Sequence, residues 1–241
     1  MEEGIYARVD SEPTHLHPVV WHKHKTIHVF RTAVTLVLWI IFLTAFLIFG
    51  VEAFWKTAFY LTQWGYMLTM VYFTINAVLF YDEKPTYKLG LLYHLSLSIE
   101  AASCVGYWTV IFRTQSAQYS QLYTQSEAVK ISTDNPFAVL YLSVLEHILP
   151  VLLLAGDFII NKIVLRKEQV SYLFALLAAY FAFNFIAVYF FGVQVYRIIT
   201  YTDMLSYLLV ASFALVALLC WHVLTRLQAK KFRARQRLPA I

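Results

Sequence analysis

Six apolar blocks decide what this chain can become. They lie near residues 32–51, 57–80, 90–112, 136–160, 170–192 and 204–225. Each is long enough for a helix that crosses ~30 Å of hydrocarbon. Only helices and closed barrels satisfy their backbone in lipid, and the blocks lack the short alternating pattern of barrel strands. With 60% hydrophobic and 14% charged residues, the chain also has too little charge for a soluble domain, where about a quarter of residues are charged. The expected fold is all-α: a polytopic membrane protein built as one six-transmembrane-helix bundle.

The first block starts about 30 residues in, is too long for a signal peptide and has no small-residue cleavage site near its end, so it should remain as the first helix. Cys104 and Cys220 fall inside predicted helices three and six, which argues against a disulfide framework, and their spacing suits no metal. Of 19 Lys and Arg, only Lys56, Arg113, Lys130 and Arg197 fall on one side of the predicted bundle, leaving 15 on the other. The positive-inside rule then puts both termini in the cytosol. It also explains the net charge of +5 without a nucleic-acid partner, because "AKKFRARQR" reads as a juxtamembrane anchor for anionic lipid.

The expected organisation is a cytosolic N-terminal arm over 1–28, a six-helix domain over 29–227 and a basic cytosolic tail over 228–241. The arm, with Pro13 and Pro18, reads as irregular. Its five histidines (14–28) are interleaved with lysines, and a solvated basic arm fits them better than a metal site. The loop at 114–135, rich in Ser, Thr, Gln and Tyr, reads either as a cap over a cavity or as a solvated loop.

Polar residues recur at helical spacing inside the blocks. One stripe holds Thr62, Gly65, Thr69 and Asn76, a second Ser96, Glu100, Ser103 and Tyr107, a third Ser143, Glu146, His147, Pro150 and Asp157; Tyr180 and Asn184 add a fourth. Such stripes suggest a bundle around an interior polar site. His147 would lie about 11 residues deep, or ~16 Å at 1.5 Å per residue, with Glu100 at comparable depth. Asp157 and His94 should sit near the cytosolic surface, where snorkelling makes them cheap. Ionisable groups deep in a bundle usually mark function. Against that, Thr62 suits a hydroxyl bonded back to its own helix, and His147 and Glu100 suit neutral interhelical hydrogen bonds. His94, His147 and His222 lie at depths too different to offer a haem pair. No cofactor and no metal is expected.

"YLTQWGYMLTMVYF" in block two, the ten-residue step from His147 to Asp157, and "GVQVY" after block five resemble the androgen-induced-gene and rolling-stone group of six-helix membrane proteins. The resemblance spans all six blocks in order. In the hydrolase branch a membrane threonine and histidine cleave fatty acid esters of hydroxy fatty acids, which implies Thr62 and His147 as the catalytic pair. Members reside in the plasma membrane or endoplasmic reticulum with cytosolic termini. That branch has Glu where this chain has Asp157, and "LTQWG" is closer to the rolling-stone branch, which is linked to cell fusion without settled chemistry.

The resemblance thus implies an intramembrane lipid ester hydrolase acting on a substrate drawn from the bilayer. Thr62 would be the nucleophile and His147 the base, with Glu100, Glu146, Asn76, Asn184 and Asp157 as the supporting polar residues. The alternative is a non-enzymatic membrane protein serving fusion, scaffolding or a complex. A third reading, a proton or small-molecule carrier using Glu100 and His147, lacks the paired Gly/Pro-broken helices of many carriers.

Overall fold

The computed structural model describes residues 18–57, 60–78, 87–111, 136–161, 163, 167–193 and 199–237. The polar loop at 114–135, residues 1–17 and most of "GVQVY" lie outside that set. Among the described residues there are six α-helices and no strand: α1 (Pro18–Thr57), α2 (Leu61–Val78), α3 (Tyr87–Gly106), α4 (Pro136–Ile160), α5 (Val170–Phe191) and α6 (Met204–Arg237). Four are long and apolar enough to cross a bilayer over Lys25–Leu47, Lys88–Thr109, Val170–Phe191 and Met204–Lys231. α2 is polar for a span, with Thr62, Gln63, Thr69, Thr74 and Asn76 inside 18 residues.

The arm expected to be irregular over 1–28 is helical from Pro18 onward, and its first 17 residues lie outside the described set. α1 begins at Pro18, a residue suited to the first helical position because its fixed φ fits the helix and its missing N–H is not needed there. The basic stretch that follows simply continues the helix beyond its apolar part.

α3 is the organising element. It packs on α2, α4 and α6, and it supplies residues to both hydrophobic clusters. One cluster joins Leu38, Tyr66, Phe73, Leu97 and Leu154; the other joins Leu61, Ile99, Leu177, Ala217 and Trp221. Contacts fix the relative directions. Tyr93 meets Leu154 while Tyr107, just past the end of α3, meets His147, earlier in α4, so the two helices run antiparallel. Gly106 faces Phe213 and His94 stacks on Trp221, so α6 is antiparallel to α3 as well. Leu36, Ile40 and Leu47 of α1 and Leu215, Leu219 and Val223 of α6 are exposed, as suits faces turned to lipid.

Two helix ends carry local chemistry. Gly192, at φ 65°, closes α5 in the left-handed conformation that glycine adopts without a Cβ penalty. Asp203 caps α6: its Oδ1 accepts the Ser206 backbone N–H at 2.7 Å, and Thr200 Oγ1 donates to Oδ2 at 2.8 Å. These bonds favour the carboxylate and hold Asp203 below its ordinary value of 3.8. A depressed carboxyl stabilises above its unfolded pKa, and that contribution disappears as pH falls through the folded one. Amide exchange at Met204–Ser206, corrected for intrinsic chemistry, is therefore expected to accelerate on acidification in the native chain. Asp203→Asn should lack that step.

Candidate functional site

The polar stripes meet in two layers. In the first, Asp157 of α4 is fully buried and ion-paired: Arg31 Nε donates to Oδ1 at 2.8 Å and Nη2 to Oδ2 at 3.4 Å. Tyr72 Oη and Asn161 Nδ2 donate to Oδ2 at 2.6 and 2.9 Å. Tyr93 Oη donates to the Leu154 carbonyl at 2.8 Å. Lys231 of α6 reaches the carbonyls of Asn161, at 2.7 Å, and Phe158, capping the end of α4 with positive charge. Five helices are tied here. Asp157 was expected near the surface, snorkelling to water; it is instead 0% exposed, because a guanidinium and two further donors, Tyr72 and Asn161, replace water around it. His94 is likewise fully buried, stacked on Trp221.

The second layer holds the expected catalytic residues. Thr62 stands in the first turn of α2, 7% exposed, and His147 in mid-α4, 8% exposed; α2 and α4 pack together. Among the described residues no hydrogen bond joins Thr62 to His147. The imidazole stacks instead on Tyr107, with ring centroids 3.7 Å apart and planes 15° from parallel. Its Nδ1 is buried without a partner, which leaves Nε2 as the nitrogen able to act. Neither Glu100 nor Glu146 orients the ring.

The sequence marks Tyr107 only as a member of a polar stripe. It opens a π-helical segment, Tyr107–Ile111, that ends α3. Such widened turns often accompany functional sites, and this one aims the phenol ring at His147. Pro150, one turn after Glu146, matters for a related reason. It has no N–H to give the carbonyl four residues earlier, so the Glu146 carbonyl loses its helical donor within this layer.

Glu100 is fully buried and faces α2. A Cβ on Gly65 would lie 3.1 Å from its carboxyl carbon, from its Oε1 and from Ile99 Cγ2; a glycine is what lets the carboxyl lie against α2. Thr69 Oγ1 donates to the Gly65 carbonyl at 2.9 Å and lies 3.5 Å from Glu100 Oε1.

The two asparagines lie elsewhere. Asn76 Nδ2 donates to the Tyr72 carbonyl of its own helix at 2.8 Å. Asn184 Oδ1 accepts from Tyr201 Oη at 2.8 Å, with Tyr180 Oη 3.5 Å from its Nδ2. Tyr201 has φ 57°, a left-handed conformation costing about 1–2 kcal/mol for an L-residue. The Asn184 bond and the bond from Tyr207 Oη to the Tyr201 carbonyl hold that turn. The partners Arg31, Tyr72 and Asn161 were not singled out from sequence. An arginine at the edge of an apolar block, opposite a carboxylate at matching depth, was the available signal.

Among the described residues no group of three or more His, Cys, Asp or Glu is placed to hold a metal ion. Comparison with family models, with curated proteins and with solved structures finds no match for this chain.

Proposed function

We propose that the chain is a six-span membrane protein of the androgen-induced-gene and rolling-stone type, with both termini cytosolic, that hydrolyses a lipid ester inside the bilayer of the plasma membrane or endoplasmic reticulum. The spans are the four apolar helices together with α2 and α4, and the orientation rests on the 15-to-4 distribution of Lys and Arg. One observation supports the chemistry: Thr62 and His147 stand on packed helices, each ten residues before the bonded pair Tyr72 and Asp157, and each is more than nine-tenths buried.

In this reading Thr62 Oγ1 attacks the ester carbonyl carbon while His147 Nε2 takes its proton. The imidazolium then protonates the departing alcohol, and water, activated by the same nitrogen, cleaves the acyl-threonine. A catalytic hydrogen bond absent from the free enzyme can form once substrate closes the site. The non-enzymatic reading draws on a different observation: among the described residues no acid stands on His147 Nδ1. Labelling separates the two. A fluorophosphonate carrying a long alkyl chain is expected to modify purified protein at Thr62, and Thr62→Ala to abolish the adduct. No adduct, together with no release of fatty acid from a branched ester, would leave the non-enzymatic reading standing.

A further inference from the structure

The C-terminal part of α6 has two unlike faces. Gln228 and Lys231, three residues apart, share the face turned to the end of α4. Lys231 Nζ donates to the Asn161 carbonyl at 2.7 Å and to the Phe158 carbonyl, and it lies 4.8 Å from the centroid of the Phe158 ring. Gln228 Nε2 donates to the Ile163 carbonyl. These contacts fix the rotation of the helix and commit Lys231 to the protein itself.

The opposite face is thereby turned outward. It carries Leu219, Val223, Arg226 and Lys230, spaced by four, three and four residues and so aligned in one row. All four are exposed, Leu219 by 54% and Val223 by 51%. Among the described residues neither Arg226 nor Lys230 makes a hydrogen bond or an ion pair. From Met204 to Ile241 the sequence has six Lys and Arg and no Asp or Glu, so nothing along this helix neutralises them. Depth gives the row its meaning. Counted from Met204, about 20 residues cross ~30 Å of hydrocarbon at 1.5 Å per residue. Leu219 and Val223 then lie beside acyl chains, and Arg226 and Lys230 stand at the headgroups just beyond. A row apolar at one end and cationic at the other matches one phospholipid laid along the helix. The guanidinium offers a planar fork of N–H donors to phosphate oxygens, and the ammonium adds a compact charge.

We propose that Arg226 and Lys230 bind the phosphate of an anionic phospholipid in the leaflet on the C-terminal side of α6, its acyl chain lying on Leu219 and Val223, while the adjacent Lys231 serves only the fold. The basic stretch that reads from sequence as a single anchor is thus divided into a lipid-binding face and a structural one. The site is independent of ester hydrolysis, since it uses neither Thr62 nor His147.

The test uses the purified full chain in neutral detergent, with native mass spectrometry and thermal midpoint as readouts. Phosphatidylglycerol is the probe, phosphatidylcholine its zwitterionic match, and inorganic phosphate the anion without a chain. Phosphatidylglycerol is expected to bind about tenfold or more tightly than phosphatidylcholine, as two cations at a headgroup allow. Inorganic phosphate should not displace it. Arg226→Gln and Lys230→Gln should each weaken phosphatidylglycerol binding about fivefold, the usual contribution of one cation at a membrane surface, and leave the midpoint of the lipid-free chain in place. Lys231→Met should do the reverse, lowering the midpoint and keeping the lipid. Equal binding of the two lipids would overturn the site, as would unchanged binding in both Arg226→Gln and Lys230→Gln. Displacement by inorganic phosphate would reassign it to a free anion. Equal losses of lipid in all three variants would replace it with diffuse attraction to the tail. Should Lys231→Met fail to fold, the exposed Arg226 and Lys230 variants decide alone.

Discussion

His147→Phe is expected to lower ester turnover by roughly 10²–10⁴-fold, the usual contribution of a general base, while leaving the fold as stable as before. Phenylalanine keeps a ring of similar size against Tyr107, where the planes now lie 15° from parallel. It also removes the buried, partnerless Nδ1, a polar atom whose enclosure costs about 1–3 kcal/mol. Alanine would be a poorer choice, because the hole left beneath Tyr107 would mix a packing defect with the chemical one. The two measurements must therefore diverge: turnover of a branched fatty-acid ester falls, and the thermal midpoint in detergent holds or rises. Retained turnover would remove His147 from the mechanism. A falling midpoint would show that a nitrogen of the imidazole makes a structural bond.

The same residue shows what a single sequence can reveal. Block length and apolarity announce the helices themselves, since few other structures can bury such runs. Spacing along one helix is equally legible: Ser96, Glu100 and Ser103 share a face, and all three are buried. What cannot be read is the rotation of one helix against another. Glu100 faces Gly65 of α2 and leaves His147 to Tyr107, a choice fixed by packing over many residues. Asn184 sits on the expected stripe of α5, yet its partner, Tyr201, belongs to the turn before α6. Depth estimated from the nearest helix end also misled for Asp157. Distance to the surface along a helix says nothing about what covers the side chain, and here Arg31 of α1 does.

Asp157→Ala is expected to be the most damaging single substitution for stability. It would leave the Arg31 guanidinium in a low-dielectric interior without its counter-ion, and removing one partner of a buried pair costs about 3–5 kcal/mol. Tyr72 and Asn161 would lose their acceptor in the same step. Whether the pair itself stabilises the bundle is a separate matter, because desolvating two charges offsets much of their attraction. Replacing both, as Arg31→Met with Asp157→Leu, should therefore recover much of the loss, and a double-mutant cycle on thermal midpoints in detergent measures the coupling. Tyr72→Phe in the native background should cost less, about 1.5–3 kcal/mol for one bond to a charged acceptor. If the single and double replacements proved equally mild, the carboxylate would not be bearing the guanidinium. A severe single and a mild double would mean that this layer acts through register, each of α1, α2 and α4 held at one rotation by a charge that tolerates no other partner. That fixed rotation is what keeps the start of α2 level with the middle of α4, where Thr62 and His147 stand.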